Sequence, residues 1–247
     1  MAYKKAVCLI SGGLDSTVAA AYAKSRGYEI YALTIIYGQK HEKEIESAKK
    51  IAKHLGAKEH KIIEVPLNKI GGSALTDKDI EIPERRRPEE IGEEIPPTYV
   101  PGRNIVFISI AASYAEVIGA EAIFLGVNAI DYSGYPDCRP EFIQAMEEAI
   151  RLGMKTGVEG RPIKIETPLI KLTKAEIVKL GHELGAPLHL TWSCYRGGEK
   201  ACGKCDSCIL RLKGFLEAGI PDPIEYEYYP EWYVEGLKQK GIEITKR

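Results

Sequence analysis

The sequence contains no apolar run long enough to span a bilayer, and charged residues rather than a signal peptide follow its first methionine. It also lacks an excess of positive charge, because 34 lysines and arginines are offset by 35 aspartates and glutamates, giving a formal charge of −1. Such a balance provides no general electrostatic field for nucleic acid. We therefore expect a cytoplasmic protein that enters no membrane and holds no nucleic acid stably.

A chain of 247 residues that is 45% hydrophobic can bury a large core. Strand-like and helix-like segments alternate between residues 6 and 184, interrupted by an irregular, charge-rich stretch at residues 71–101. This βαβ rhythm predicts an α/β fold with a doubly wound parallel sheet. We expect most charges of the irregular stretch to face solvent, although loops of that length are often lids or binding loops.

The most informative motif lies between the first apolar run, residues 6–10, and an alanine-rich helical pattern at residues 17–26. It reads Ser11-Gly12-Gly13-Leu14-Asp15-Ser16 and is called the phosphate loop below. Unpaired N–H groups and the dipole of a helix N-terminus attract anions, two glycines admit phosphate oxygens, and two serines add hydroxyl donors. A Walker-type loop would carry a lysine. Here Asp15 is interpreted as a loop-stabilising or Mg²⁺-facing residue, with a tight turn and an aspartate N-cap as the alternative.

Ligands of open α/β sheets bind outside the carboxyl ends of the strands. Three strand exits should therefore converge on one crevice: the phosphate loop, the segment after the second strand, and residues 128–139. In this interpretation Tyr37, Gln39 and His41 lie near an adenine or a ribose. The alternative is that Gln39 and His41 merely open a surface helix.

The second strong motif is a cluster of four cysteines within fifteen residues, with two C-x₂-C pairs that share one member. These are Cys194, Cys202, Cys205 and Cys208. The pattern suits tetrahedral thiolate coordination of Zn²⁺ in a structural site with no open position. An iron–sulfur cluster is the competing interpretation, and zinc is favoured because nothing else in the sequence indicates electron transfer. Of the remaining cysteines, Cys8 should pack in the core, and Cys138 has no evident base beside it.

The phosphate loop resembles the pyrophosphate loop of the N-type ATP pyrophosphatases, the PP-loop superfamily, which form adenylated intermediates from ATP. Further motifs resemble, in order, those of the 7-cyano-7-deazaguanine synthases: "YGQKHEKE", "YVPGRN", "GVNAIDYSGYPDCRPEF", "ETPL" and "SCYRGGEKACGKCDSCILR". This resemblance covers residues from about 6 to 215. It implies an adenine nucleotide alpha hydrolase-like domain at residues 1–188, a zinc-binding subdomain at 189–218 and a tail at 219–247.

The resemblance implies an ATP-dependent C–N ligase that converts 7-carboxy-7-deazaguanine and ammonia to 7-cyano-7-deazaguanine. The same resemblance implies that the reaction passes through adenylated intermediates and uses ATP and Mg²⁺. It also implies one structural Zn²⁺ per chain, a homodimer and a place in queuosine or archaeosine synthesis. The source of ammonia stays open. Alternatives are another PP-loop adenylating enzyme, such as a tRNA-thiolating one, and a nucleotide sensor without catalysis.

The resemblance also assigns candidate roles to residues near the phosphate loop. The predicted ATP-binding residues are Ile10, Ser11, Gly12, Gly13, Leu14, Asp15, Ser16, Thr17, Tyr37 and Gln39. Asp15 and Ser16 are also predicted to be catalytic, because they would position Mg²⁺ and pyrophosphate. Lys174, or else Lys171, would neutralise developing phosphate charge, the alternative being a solvated lysine at a helix end.

The predicted substrate residues are Arg103, Asp131, Tyr135, Asp137 and Arg139. A carboxylate can accept two hydrogen bonds from the adjacent N–H donors of a guanine-like edge. A tyrosine can stack on the ring, and an arginine can pair with the substrate carboxylate or with phosphate.

Overall fold

The computed structural model describes residues 4–40, 42–91, 94–130 and 134–242. Five parallel strands form one sheet in the order β3-β2-β1-β4-β5. They are β1 (Lys5–Leu9), β2 (Glu29–Ile36), β3 (Glu59–Glu64), β4 (Ala122–Phe124) and β5 (Lys164–Glu166). The chain builds outward from β1 on one side and then returns to place β4 on its other side. The predicted doubly wound parallel sheet is confirmed, with its topological switch point between β1 and β4.

Helices cover both faces of the sheet. They are α1 (Leu14–Ser25), α2 (Lys43–Leu55), α3 (Arg103–Ile118), α4 (Pro140–Gly153), α5 (Lys155–Val158), α6 (Lys174–Glu183), α7 (Asp206–Ala218) and α8 (Glu231–Gln239). Val7 packs with α3 and α4 on one face, whereas its neighbours Ala6 and Cys8 pack with α1 and α2 on the other. This alternation along a fully buried central strand explains why the sequence shows a continuous apolar run there.

The cysteine segment and the chain after it share one apolar cluster. Cys194 and Leu212 pack there with Tyr226, Tyr233 and Leu237, the last two from α8. The irregular stretch at residues 71–101 reaches the same region, since its Glu84 and Arg85 contact the backbone of Cys205 and Lys204. The predicted division of the chain at residues 188 and 218 stays a prediction. Of the helices in the described ranges, none is both long and apolar enough to cross a bilayer.

Candidate active site

The phosphate loop joins the carboxyl end of β1 to the N-terminus of α1. Ser11 Oγ and Ser16 Oγ are hydrogen-bonded at 3.0 Å, and Gly13 N–H donates to Ser11 Oγ at 3.2 Å. The Gly13 carbonyl accepts from Ser16 Oγ at 3.1 Å and from Thr17 Oγ1 at 2.7 Å. Gly13 is the N-cap of α1, so the alternative of an aspartate N-cap is wrong. A helix start without a capping side chain leaves its N–H groups to an external anion.

Two glycines allow this loop to pack closely against its neighbours. Gly12 has a φ of +90°, and a Cβ on it would lie 2.1 Å from the Glu44 carbonyl oxygen. A Cβ on Gly126, just after β4, would lie 2.5 Å from the Ser16 nitrogen. A side chain at either position would therefore displace the loop. Sequence reasoning missed Gly126. A glycine soon after a strand that pairs with β1 could have indicated a close approach to the phosphate loop.

Lys174, the first residue of α6, reaches the phosphate loop from the side. Its Nζ donates to both Asp15 carboxylate oxygens, at 2.8 and 2.7 Å. Only 8% of the Lys174 side chain and 20% of the Asp15 side chain are exposed, so both charges act in a weakly screened setting. Gly214 of α7 makes room for the lysine, because a Cβ there would lie 2.3 Å from Lys174 Cγ. Lys171, the other candidate, is exposed.

The exit of β2 contributes an aromatic and a cationic wall. The Tyr37 ring lies 5.7 Å from the Phe107 ring and 5.8 Å from the Arg103 guanidinium carbon. Gln39 Oε1 accepts a hydrogen bond from Tyr37 N–H at 2.9 Å. Burial raises the pKa of Tyr37 to about 12, so its hydroxyl stays protonated. Burial would lower the pKa of Arg103, but Tyr37 and Tyr135 raise it, so the guanidinium stays charged.

The candidate substrate residues are not all brought to the same place. Tyr135 is buried, and its hydroxyl is hydrogen-bonded to Thr98 Oγ1 at 2.8 Å. Asp137 is buried, and its carboxylate accepts Asn104 N–H at 3.1 Å, within the first turn of α3. Arg139 precedes α4, where its Nε donates to the Pro136 carbonyl. Binding of substrate by Asp137 and Arg139 stays a prediction. Asp131 and His41 lie outside the described residues.

A cavity of about 280 Å³ lies at the carboxyl ends of the strands. Most of the predicted residues line it, namely Ile10, Ser11, Gly13, Leu14, Asp15, Ser16, Tyr37, Gln39, Arg103, Tyr135 and Lys174. Gly12, within the loop, and Thr17, just after it, do not line the cavity but shape the loop through the contacts given above. The structure therefore brings these residues, from the exits of separate strands, to one cavity, as the sequence predicted.

Sequence reasoning missed several further residues of the cavity wall, among them Glu44, Trp192 and Arg211. Glu44 comes from the first turn of α2, Trp192 from the segment before the cysteines, and Arg211 from α7. Trp192 N–H donates to the Gly12 carbonyl at 2.8 Å. Arg211 is paired with the buried Asp222 through hydrogen bonds of 2.8 and 2.9 Å. No spacing in the sequence connects these residues with the phosphate loop, because tertiary packing alone brings them together.

The four clustered cysteines form a group that fits a metal ion. Their sulfur atoms all lie within 4.8 Å of one another, and all four residues are buried. A tetrahedron with metal–sulfur bonds of about 2.3 Å has sulfur–sulfur edges of about 3.8 Å. The Cys202 and Cys205 sulfurs lie 3.9 and 3.5 Å from the Cys208 sulfur. Backbone N–H groups point at two of the sulfurs, including Cys202 N–H at 3.3 Å from Cys194 Sγ, which favours thiolates.

Cys138 also lines the cavity, but as an unreactive thiol. Burial raises its pKa to about 12, and the neighbouring Asp137 adds to the rise. The thiolate is the nucleophilic form of cysteine. This environment opposes a sulfur-carrying role for Cys138, which a tRNA-thiolating enzyme would need from a reactive thiol.

The phosphate loop, its place beside the switch point of a parallel sheet and the cavity over it define a nucleotide-binding α/β protein of the PP-loop class. The family model described as "Queuosine biosynthesis protein QueC" matches residues 5–219. The chain belongs to this family, which confirms the resemblance derived from its motifs.

Curated relatives match almost the whole chain. A protein of Acetivibrio thermocellus named 7-cyano-7-deazaguanine synthase is 61% identical over 223 residues, covering 90% of this chain and 98% of that protein. One of the same name from Thermoplasma acidophilum is 57% identical over 240 residues, covering 97% and 99%. A solved 4-thiouridine synthetase–RNA complex with bound ATP is 20% identical with a TM-score of 0.44, covering 96% of this chain and 50% of that one.

Proposed function

We propose that this chain is an ATP-dependent C–N ligase that converts 7-carboxy-7-deazaguanine and ammonia to 7-cyano-7-deazaguanine. The observation that carries the proposal is the phosphate loop over a cavity in a chain that is 61% identical to a protein named for that product. A carboxylate does not exchange an oxygen for nitrogen unaided. Hydroxide or oxide is a poor leaving group, and the negative charge of the carboxylate opposes attack by ammonia on its carbon. Adenylation removes both obstacles.

The reaction proceeds in two activations. The substrate carboxylate attacks the α-phosphorus of ATP, pyrophosphate leaves, and ammonia then displaces AMP from the acyl carbon to give the amide. A second activation, at the amide oxygen, allows its loss and leaves the nitrile. Positioning and charge stabilisation supply most of the catalysis in such transfers.

The residues of the phosphate loop would hold ATP. The N–H groups at the start of α1 and the hydroxyls of Ser11 and Ser16 bind the departing pyrophosphate. Lys174 neutralises charge there, and its pairing with Asp15 fixes both side chains. Asp15 stays our candidate to face Mg²⁺, which is commonly held by one or two carboxylates together with substrate phosphates. Tyr37 and Gln39 lie beside the nucleoside.

The base of the substrate would lie on the Arg103 side of the cavity. Arg103 pairs with the substrate carboxylate or with phosphate, and Tyr135 offers a ring for stacking. Asp131 stays our candidate to accept the paired N–H donors of the deazaguanine, with Asp137 and Arg139 as further candidates.

The four clustered cysteines would hold one structural Zn²⁺ per chain. Four thiolates complete a tetrahedral shell, so the metal stabilises the fold around it and takes no part in the chemistry. We further propose a cytoplasmic homodimer that binds no nucleic acid stably.

The test is an incubation of the purified protein with ATP, ammonium chloride and 7-carboxy-7-deazaguanine. Mass spectrometry should find the nitrile. About two molecules of AMP should form for each nitrile, because each nitrile needs two activations. Omitting ammonia should abolish the nitrile and limit AMP to about one equivalent per chain, because the first acyl adenylate then has no nucleophile to attack it. ATP binding without AMP release would instead indicate a nucleotide sensor, and affinity for tRNA that falls steeply with salt would favour a thiolating enzyme.

A further inference from the structure

Glu44 is a cavity residue that the proposed mechanism leaves without a role. It lies in the first turn of α2, and its side chain lines the cavity together with the phosphate loop. Its carbonyl oxygen is the atom against which Gly12 packs. The main chain of Glu44 is thereby fixed to the loop that would hold the reacting phosphates, and its carboxylate interacts electrostatically with two other cavity residues, Tyr37 and Arg103.

The Glu44 carboxylate differs from the other acidic group of the cavity wall in its partners. Among the described residues, Asp15 and Glu44 are the two acids of the wall. Asp15 is bound through both oxygens by Lys174. Glu44 belongs to none of the ion pairs found between described residues of the cavity wall, although Arg103 favours its charged form. A carboxylate left in a cavity that receives the polyanion ATP is unfavourable unless a cation meets it.

The surroundings of Glu44 also favour proton exchange near neutral pH. Burial raises the pKa of its carboxyl to about 7, Arg103 opposes the rise, and Cys194 adds a smaller contribution. Tyr37, which faces the same carboxylate, stays protonated.

We propose that the Glu44 carboxylate binds the ammonium ion that serves as the second substrate and accepts its proton. This inference rests on the proposed function, in which ammonia attacks an acyl adenylate. Ammonia is mainly the ammonium cation in neutral water, and that cation has no lone pair with which to attack carbon. A carboxylate in a partly buried cavity both attracts the cation and takes up the proton.

The proton and electron balance of the step is complete. One N–H bond breaks and its proton moves to a Glu44 carboxylate oxygen, leaving ammonia with a free lone pair. That lone pair forms the C–N bond at the acyl carbon, and the bond from that carbon to the AMP oxygen breaks with its electrons leaving on AMP. The nitrogen releases a second proton to water as the amide forms.

The test compares Glu44→Gln with Glu46→Gln, a matched control on the same helical turn whose side chain is exposed. Exchange of labelled pyrophosphate into ATP, with 7-carboxy-7-deazaguanine and without ammonia, measures adenylation alone. For Glu44→Gln we expect exchange within about twofold of the unaltered protein and a KM for ammonium raised by about tenfold or more. Hydroxylamine can replace ammonia as the nucleophile and is largely uncharged at neutral pH. With hydroxylamine, Glu44→Gln should therefore release AMP at nearly the rate of the unaltered protein. Glu46→Gln should leave all three measurements unchanged.

Several results would overturn the inference. An unchanged KM for ammonium in Glu44→Gln would remove Glu44 from ammonium binding. Loss of pyrophosphate exchange together with a raised KM for ATP or Mg²⁺ would assign Glu44 to the nucleotide. If thermal melting shows that Glu44→Gln does not fold, Glu44→Asp, which withdraws the carboxylate by one methylene, must show the raised ammonium KM with intact exchange. Absence of both exchange and nitrile from the unaltered protein would refute the proposed function itself.

Discussion

Replacing Gly126 by alanine should impair ATP chemistry much more than it impairs folding. The added Cβ would lie 2.5 Å from the Ser16 nitrogen, whereas ordinary contact begins at 3.4 Å. The difference, 3.4 minus 2.5, requires the start of α1 to move by about 0.9 Å. A misplacement of about 1 Å costs on the order of 10²-fold in rate, so we expect kcat/KM for ATP to fall by about that factor. Overpacking should cost about 1–3 kcal/mol of stability, or roughly 2–12 °C in Tm for a chain of this size.

The matched control is Gly153→Ala, because a Cβ on Gly153 meets no atom within 4 Å. Both variants add one methyl group and remove one glycine from the unfolded chain, so they differ mainly in the local contact. Pyrophosphate exchange and thermal melting should be measured on both. If Gly126→Ala exchanges pyrophosphate as fast as Gly153→Ala does, the close approach of Gly126 does not position the phosphate loop and the reasoning fails.

Three more outcomes follow from the same geometry. Asp15→Asn and Ser16→Ala should keep the fold and lower kcat by about 10²-fold or more, because they alter groups that position phosphate. Thermal melting should show a lower Tm for Asp15→Asn alone, because that change leaves the buried Lys174 ammonium without its counter-charge; unaltered turnover in both variants would contradict the reasoning. Cys205→Ser should lower zinc content, measured by elemental analysis, together with Tm, and the unaltered protein should be colourless and free of iron. Cys138, whose pKa rises from 9.0 to about 12, should be alkylated about 10³-fold more slowly at pH 8 than an unperturbed thiol, because only the thiolate reacts; labelling followed by peptide mass mapping measures this.

The sequence predicted the elements that depend on local pattern. The apolar run of β1, the glycine-rich loop after it and the alanine-rich α1 are consecutive in the chain, so a strand, an anion site and a helix could be expected from about twenty residues. The cysteine cluster is equally local. The strand exits followed from topology, because carboxyl ends of parallel strands share one edge of the sheet.

Pairings between distant segments could not be predicted from the sequence. Lys171 and Lys174 were equivalent candidates until packing against Gly214 placed Lys174 beside Asp15. For Asp137 the position of the loop was predicted correctly, at a strand exit, but the partner of the carboxylate was not. That carboxylate accepts a hydrogen bond from a backbone N–H of α3. A carboxylate has the same residue type whether it binds substrate or an N–H group of a helix, so composition and spacing could not distinguish the two roles.

Trp192 connects the cysteine cluster with the phosphate loop, so a metal bound by the cluster would affect nucleotide binding even without an open coordination position. The Trp192 N–H supports the Gly12 carbonyl at 2.8 Å, and its indole N–H donates to the Cys194 carbonyl at 3.0 Å. Arg211, held by the buried Asp222, donates to Thr191 Oγ1 at 2.7 Å one residue before Trp192. Because Cys194 contributes a sulfur to the cluster, a metal that orders the cluster also orders the segment behind the loop. Such a metal would act on catalysis through the shape of the phosphate site.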